Sequence, residues 1–301
     1  MSRPEPAAGL DRILDYVRQV RGFDFREYKP PGLTRRLRER MQSLGIDDVD
    51  AYLLHLQRHA EESDALFDTI LINVTSFFRD AEVWDALRDR VVPNLAAVRA
   101  SHGPIRVWSA GCASGQEAYS AAILLAEILG ADAFKHRVTI FATDVDDEAL
   151  SEARRGRFSA GQVGDVPRPL LAKYFTRTNG DERYRVDGDL RRSIVFGHHD
   201  LIQDPPIARL DLILCRNTLM YFNAEAQARI LARFAQSLNP GGHLTLGRAE
   251  RWLGHATAGE ALPSAGEPLE TLNEELRSTD AALQNLHGEL RNAMARSRTP
   301  S

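Results

Sequence analysis

From residue 10 to residue 92 the apolar positions recur at three- and four-residue steps, the period of helices packed on one side. Leu10, Ile13, Leu14 and Val17 form the first stripe, and Pro30-Pro31-Gly32 reads as a break. The next helix is expected from about Leu33 to Leu44. It would bury Leu33, Leu37, Met41 and Leu44 and turn Arg35, Arg36, Arg38 and Arg40 outward. Two more helices are expected over Asp47–Arg58 and Ser63–Val74, with Leu66, Ile70 and Leu71 inward. By itself the arginine-rich face reads as solvated charge. Asn73-Val74-Thr75-Ser76-Phe77-Phe78-Arg79-Asp80 reads as a packed helix junction.

The period then changes. Ile105 to Ala110 is a short, mostly apolar run, the mark of a buried strand. The small-residue turn Gly111–Gly115 follows, then a helical pattern from about Gln116 to Leu129. A second strand, Val138 to Thr143, ends in Asp144. Strand, glycine turn and helix make the first crossover of a nucleotide-binding α/β fold, and an acid ending the second strand suits the hydroxyls of a ribose. Residues 157–192 interrupt the rhythm with Pro167 and Pro169, a short helix near Leu170–Phe175 and a hairpin around Asn179-Gly180. They read as a small β insertion. Ile194 to Gly197 re-enters the main sheet and runs into His198-His199-Asp200-Leu201. Leu210 to Leu214 is the next strand, delivering Cys215-Arg216-Asn217 and then Tyr221-Phe222. Asn223 caps a helix to about Leu238, and Asn239-Pro240-Gly241-Gly242 turns into a strand over His243–Gly247. Residues 251–268 have linker composition and are poor strand material. Leucines between Leu269 and Leu290 then recur with coiled-coil spacing.

The domains expected are therefore an N-terminal helical domain (1–92), an α/β domain (93–256) carrying the 157–192 insertion, a linker (257–268) and a coiled-coil helix (269–295) that can pair two copies of the chain. Composition narrows the chemistry. The net charge of −4 carries no polyanion signal, and no basic, aromatic-rich surface for nucleic acid is evident. Cys112 and Cys215 lie in apolar segments without metal-type spacing, which suits a reduced, cytoplasmic protein. No run approaches the roughly 20 apolar residues of a membrane helix, and the N-terminus lacks a signal peptide's apolar core. His198 and His199 are adjacent on a strand and point opposite ways, so no metal site is expected. Asp204-Pro205-Pro206 precedes its strand and reads as a loop.

The segments NVTSFFRD, RVWSAGCASGQEAYS, FATDVDDEALSEARRGRFS, LDLILCRNTLMYF and LNPGGHLTLGRAE, in this order over roughly residues 10–250, resemble the chemotaxis-receptor methyltransferase family (CheR type). The resemblance implies a Rossmann-like sheet that uses S-adenosylmethionine to methylate glutamates on the cytoplasmic helices of methyl-accepting receptors. It implies that Asn73, Thr75 and Arg79 close over the cofactor and that Glu117 contacts it at the helix start. Gly111 belongs to the cofactor turn, Asp144 to the ribose, Asp200 and Leu201 to the adenine side, and Arg216 and Asn217 to the contacts after the fourth strand. Arg79 and Tyr221 match the pair nearest the transferred methyl, and Arg35, Arg36, Arg38 and Arg40 match the receptor-facing helix. Arg79 can pair with the acceptor carboxylate or the cofactor's carboxylate. Tyr221 can hold the acceptor or stabilise the sulfonium.

Two departures stand out. The family's GHSE-like strand end is Gly247-Arg248-Ala249-Glu250, and the final antiparallel strand is not evident in residues 251–268. These favour an alternative, a catalytically weakened cofactor-binding scaffold acting through its coiled coil, which the intact Arg79, Asp144, Arg216, Asn217 and Tyr221 oppose. A methyltransferase for small molecules or nucleic acid is a further rival, and the lack of an extended basic, aromatic-rich surface argues against nucleic acid. A dehydrogenase ranks last, because Gly111-x-x-x-Gly115 does not fit G-x-G-x-x-G.

Overall fold

A computed structural model of the chain describes residues 5–98, 103–178, 182–247 and 250. Four helices come first: α1 (Glu5–Arg21), α2 (Pro30–Ser43), α3 (Val49–Arg58) and α4 (Ala60–Ile70). After a loop over 71–80, α5 (Ala81–Ala86) passes through a π-helical turn (Leu87–Val91) into α6 (Val92–Val98). The α/β part contains β1 (Ile105–Ala110), α7 (Gln116–Leu129), α8 (Ala131–Arg137), β2 (Val138–Asp144) and α9 (Asp147–Arg155). Next come β3 (Arg157–Ser159), α10 (Arg168–Tyr174), β4 (Phe175–Arg177), β5 (Arg183–Val186) and α11 (Gly188–Arg192). It ends with β6 (Ile194–His198), β7 (Leu210–Cys215), α12 (Ala224–Ser237) and β8 (Leu238–Leu246).

The main sheet has the order β6-β2-β1-β7-β8, with every neighbouring pair parallel. A parallel sheet is covered on both faces, so its strands read as unbroken apolar runs. Side chains alternate between two cores. Ile105, Val107, Leu212 and Leu214 face the layer holding α7, while Trp108, Ala110, Ile213 and Cys215 face α12 and the N-terminal helices. The chain moves outward from β1 to β2 and β6, then returns to β7 on the other side of β1. The carboxyl ends of β1 and β7 therefore diverge at a switch point, where this architecture opens a ligand crevice. The insertion forms its own three-stranded sheet, β3-β5-β4, antiparallel throughout.

The N-terminal helices are fastened to the α/β part beside that crevice. Tyr28 and Phe222 form an antiparallel bridge with ring centroids 4.6 Å apart. The Lys29 N–H donates to Tyr221 O at 2.8 Å, and the Asn223 N–H donates to Glu27 O at 2.8 Å. Phe23, Phe25 and Phe67 pack edge-to-face beneath the bridge.

The structure corrects the reading of α2. Pro30-Pro31-Gly32 is not a break but the first turn of the helix, where a proline forfeits no hydrogen bond because its missing N–H has no intrahelical partner. Leu44 caps the helix and is 38% exposed, so it leaves the buried stripe. Arg36 and Arg40 do not face outward. They fall on the i+3 and i+7 positions from Leu33, alongside buried Leu37 and Met41, and the helix turns that face toward α4. Arg36 is buried, donates from Nη1 to Ile70 O and lies 5.3 Å over the Tyr221 ring. Arg40 donates from Nε to Glu62 Oε1 at 2.8 Å, and the Tyr52 hydroxyl reaches the same oxygen. Only Arg35 and Arg38 remain on the exposed face. The expected turn at Asn239–Gly242 lies within β8 as an irregularity, with Leu238 opposite Leu210 and His243 opposite Leu212. The hairpin turn expected at Asn179-Gly180, the stretch 251–268 in which no final strand is expected, and the coiled-coil helix expected over 269–295 lie outside the described residues.

Candidate functional site

The crevice at the switch point is a cleft open to solvent. Asn73, Thr75, Arg79, Gly111, Glu117, Asp144, Asp200, Leu201, Arg216, Asn217 and Tyr221 all line it. Segments up to about 150 residues apart in sequence thus meet over one space. Arg35, Arg36, Arg38 and Arg40 are not part of its wall.

Each wall has a local cause. Gly111 holds φ +75°, and its N–H donates to Thr143 O at 2.8 Å, bending the chain off β1. A Cβ there would lie 2.4 Å from Thr218 Oγ1, so the turn after β1 and the turn after β7 touch where only glycine fits. Asp144 ends β2. Its Oδ2 accepts the Ala113 N–H at 2.8 Å and its Oδ1 the Asp146 N–H at 3.1 Å. These backbone donors use only part of a carboxylate's roughly four acceptor positions, leaving capacity for a ribose hydroxyl. Burial pushes its pKa above the ordinary value, against the pull of those backbone donors.

The electrostatic centre is Arg216, just past β7 and buried. Its Nη2 donates to Asp80 Oδ2 at 2.9 Å and to Arg79 O, and its Nη1 sits 3.6 Å from Glu117 Oε2. Its Nε is buried without a partner. Glu117 accepts from Ser109 Oγ at 2.7 Å, and its pKa is raised, burial outweighing Arg216. The donor set suits a zwitterionic nucleoside: carboxylates at 117 and 144, guanidiniums at 79 and 216.

The loop over 71–80 forms the lid side. Phe77 is fully buried, edge-to-face on Phe158 and Phe175, while Phe78 packs on Trp84. The helix-junction reading fits Phe78 on Trp84, whereas Phe77 packs instead on the strands of the inserted sheet. That reading misses Arg79, which lines the cleft and donates from Nη1 to Val74 O at 2.9 Å, tying the loop to itself. Phe78 and Asp80 flank it at φ +50° and +56°, left-handed conformations that side chains seldom adopt and that concentrate at functional sites. Asn73 Nδ2 donates to Asp146, the N-cap of α9, and so clips the loop to the β2 exit. Asp200 spends most of its carboxylate on its own turn, accepting from the Ile202 and Gln203 N–H groups and from Gln203 Nε2. His199 also lines the cleft. Its Nε2 lies 3.1 Å from Pro205 O and its ring packs edge-on to Trp108, so it belongs to the wall rather than to a metal. Among the described residues no group of three or more His, Cys, Asp or Glu side chains could hold a metal ion.

The model of the CheR methyltransferase SAM-binding domain matches residues 73–265, and that of the CheR all-alpha domain matches residues 8–71. The chain belongs to the CheR methyltransferase family. Its fold is that of an S-adenosylmethionine-dependent methyltransferase with an N-terminal helical domain, and its cosubstrate is S-adenosylmethionine. A chemotaxis protein methyltransferase of Listeria monocytogenes is 35% identical over 81% of this chain and 90% of its own length. One from Escherichia coli is 33% identical over 81% of this chain and 85% of its own. An uncharacterized 104.1 kDa protein of Rhodobacter capsulatus is 38% identical over 82% of this chain, which spans only 26% of that relative. Among the described residues no helix is long and apolar enough to cross a membrane.

One contributor escaped the sequence reading. Glu250 accepts backbone N–H groups from Asn217, Met220 and Gly247. The only signal was the acid that ends the GHSE-like segment.

Proposed function

We propose that this CheR-family chain methylates glutamate side chains on the cytoplasmic helices of chemotaxis receptors. The observation that carries the reading is the convergence of the 73–79 loop and the 216–221 turn on the cleft beside Asp144. Asn73, Thr75 and Glu117 would hold the cofactor's amino-acid end, Asp144 its ribose, and Asp200 and Leu201 its adenine. Arg216 and Asn217 would hold the cofactor as well. Bound S-adenosylmethionine supplies an electrophilic methyl on sulfonium. The residues supply alignment. A glutamate acceptor is ionised at neutral pH, so no general base is needed. Arg79 and Tyr221 orient the carboxylate, and the 71–80 loop excludes water from the cleft.

Arg35 and Arg38, the exposed basic pair of α2, would face the acidic receptor helices. The reaction would take place in the cytoplasm, with the membrane reached only through the receptor and no part for nucleic acid. The leucine seam over 269–295 would join two chains, which sedimentation of the full chain against a version ending at Pro268 tests. Incubation with methyl-labelled cofactor and receptor-containing membranes tests the activity. Base-labile label on receptor glutamates is expected. Cofactor binding without transfer to any receptor would refute the reading and favour the scaffold.

A further inference from the structure

We propose that Glu250 is a positioning residue that holds the Asn217–Tyr221 turn in register with the cleft. The inference rests on the transfer reading above, because it acts through Asn217 and Tyr221. Glu250 is 3% exposed and does not line the cleft itself. Its Oε2 accepts the Asn217 N–H and the Gly247 N–H, each at 2.9 Å, and its Oε1 accepts the Met220 N–H at 3.1 Å. Its own N–H donates to Gly247 O at 2.9 Å. Both of its carboxylate oxygens are thus engaged by backbone N–H dipoles, an arrangement that suits a carboxylate and not an amide.

The turn it grips needs holding. Asn217 sits at φ +59°, a conformation side chains rarely adopt, and the turn projects Asn217 and Tyr221 into the cleft from opposite ends. There is no slack behind it. A Cβ on Gly247 would lie 2.8 Å from Glu250 Oε2 and 2.9 Å from the Asn217 nitrogen. Glycine, carboxylate and turn therefore form one close-packed unit. It couples the exit of β8 to the exit of β7, and so the sheet to the residues beside the reacting atoms.

Glu250→Gln replaces one carboxylate oxygen with an amide that faces N–H donors whichever way it flips. The expected result is a kcat lowered about 10- to 100-fold, the cost of sub-ångström to ångström misplacement, with the KM for a receptor fragment nearly unchanged. Hydrogen exchange at the Asn217, Met220 and Gly247 amides should accelerate while amides of β1 and β7 stay protected. Formate added to Glu250→Ala should restore both protection and transfer in proportion to its occupancy, a rescue that a mere packing role would not show. Unchanged exchange at the three amides, or a full kcat per folded molecule, overturns the proposal. So does an absence of formate rescue. A wild-type chain that binds S-adenosylhomocysteine but methylates no receptor sinks the proposed function alone. Amide exchange, and its restoration by formate in Glu250→Ala, then still decides the role of Glu250.

Discussion

Gly111→Ala probes the contact on which the cleft is built. Two costs follow from the structure. At φ +75° an alanine pays about 1–2 kcal/mol for its left-handed backbone. Its Cβ would also meet Thr218 Oγ1 at 2.4 Å and Cγ2 at 2.7 Å, an overlap in a packed region worth about 1–3 kcal/mol. Restriction of the unfolded chain returns about 0.4–1 kcal/mol. The net loss expected is about 1–5 kcal/mol, read as a fall of several degrees in melting temperature. Thr218 precedes the Leu219–Tyr221 turn, so relief of the overlap must displace cleft residues, and S-adenosylhomocysteine affinity should fall too. Adding Thr218→Ala removes both clashing atoms and leaves the Thr218 Cβ at 3.1 Å, tight but tolerable. The double variant should recover the overlap share and keep the backbone share, a coupling that a double-mutant cycle isolates. Calorimetric melting and binding on the four proteins give the answer. If Gly111→Ala matches the parent in both, or if Thr218→Ala rescues nothing, the close approach of the two turns is not as described.

Asp144→Ala should weaken S-adenosylhomocysteine binding by about 1–3 kcal/mol, the worth of lost charge-assisted hydrogen bonds. Burial raises the folded pKa of Asp144, so parent affinity should rise with pH through that elevated carboxylate range as the acceptor ionises. The same raised value means that its contribution to folding stability is present at low pH and lost as pH climbs through the folded pKa. An affinity with the same pH dependence in Asp144→Ala would contradict the assignment. Arg35→Glu with Arg38→Glu should raise the receptor KM severalfold at low salt, with melting nearly unchanged, since the Arg35–Glu39 pair is exposed. Arg36→Ala should instead lower the melting temperature, because it empties a buried site and strips Ile70 O of its donor; equal tolerance of both changes would refute the inward placement. Arg79→Ala and Tyr221→Phe should slow methyl transfer far more than they shift melting. Full transfer in both would remove them from the site.

Much of this protein was legible in one dimension because its elements are locally consistent. The strand Ile105–Ala110, the glycine turn and the helix Gln116–Leu129 were each readable from period and turn chemistry, and the helix bounds coincide with the structure. Asn223 as a helix cap and Asp144 at a strand end are likewise properties of short windows. The family motifs carried the cleft residues, whose meeting requires only that the sheet form in its usual order. What the sequence did not decide by itself was direction. Arg36 and Arg40 were assigned outward because they are charged, yet helix period placed them on the buried stripe. Only the arrival of Ile70 O and Glu62 from α4 makes that placement affordable to a guanidinium. The aromatic pair before Arg79 divided the same way. Phe77 packs on the small sheet while Arg79 turns into the cleft, and nothing local separates them. The role of Glu250 was hidden for a related reason. Its partners are the Asn217 and Met220 amides, and a backbone donor has no residue type to read. Helix, strand and cap are set by neighbours in the chain, whereas the burial of a charge depends on partners that only folding brings within reach.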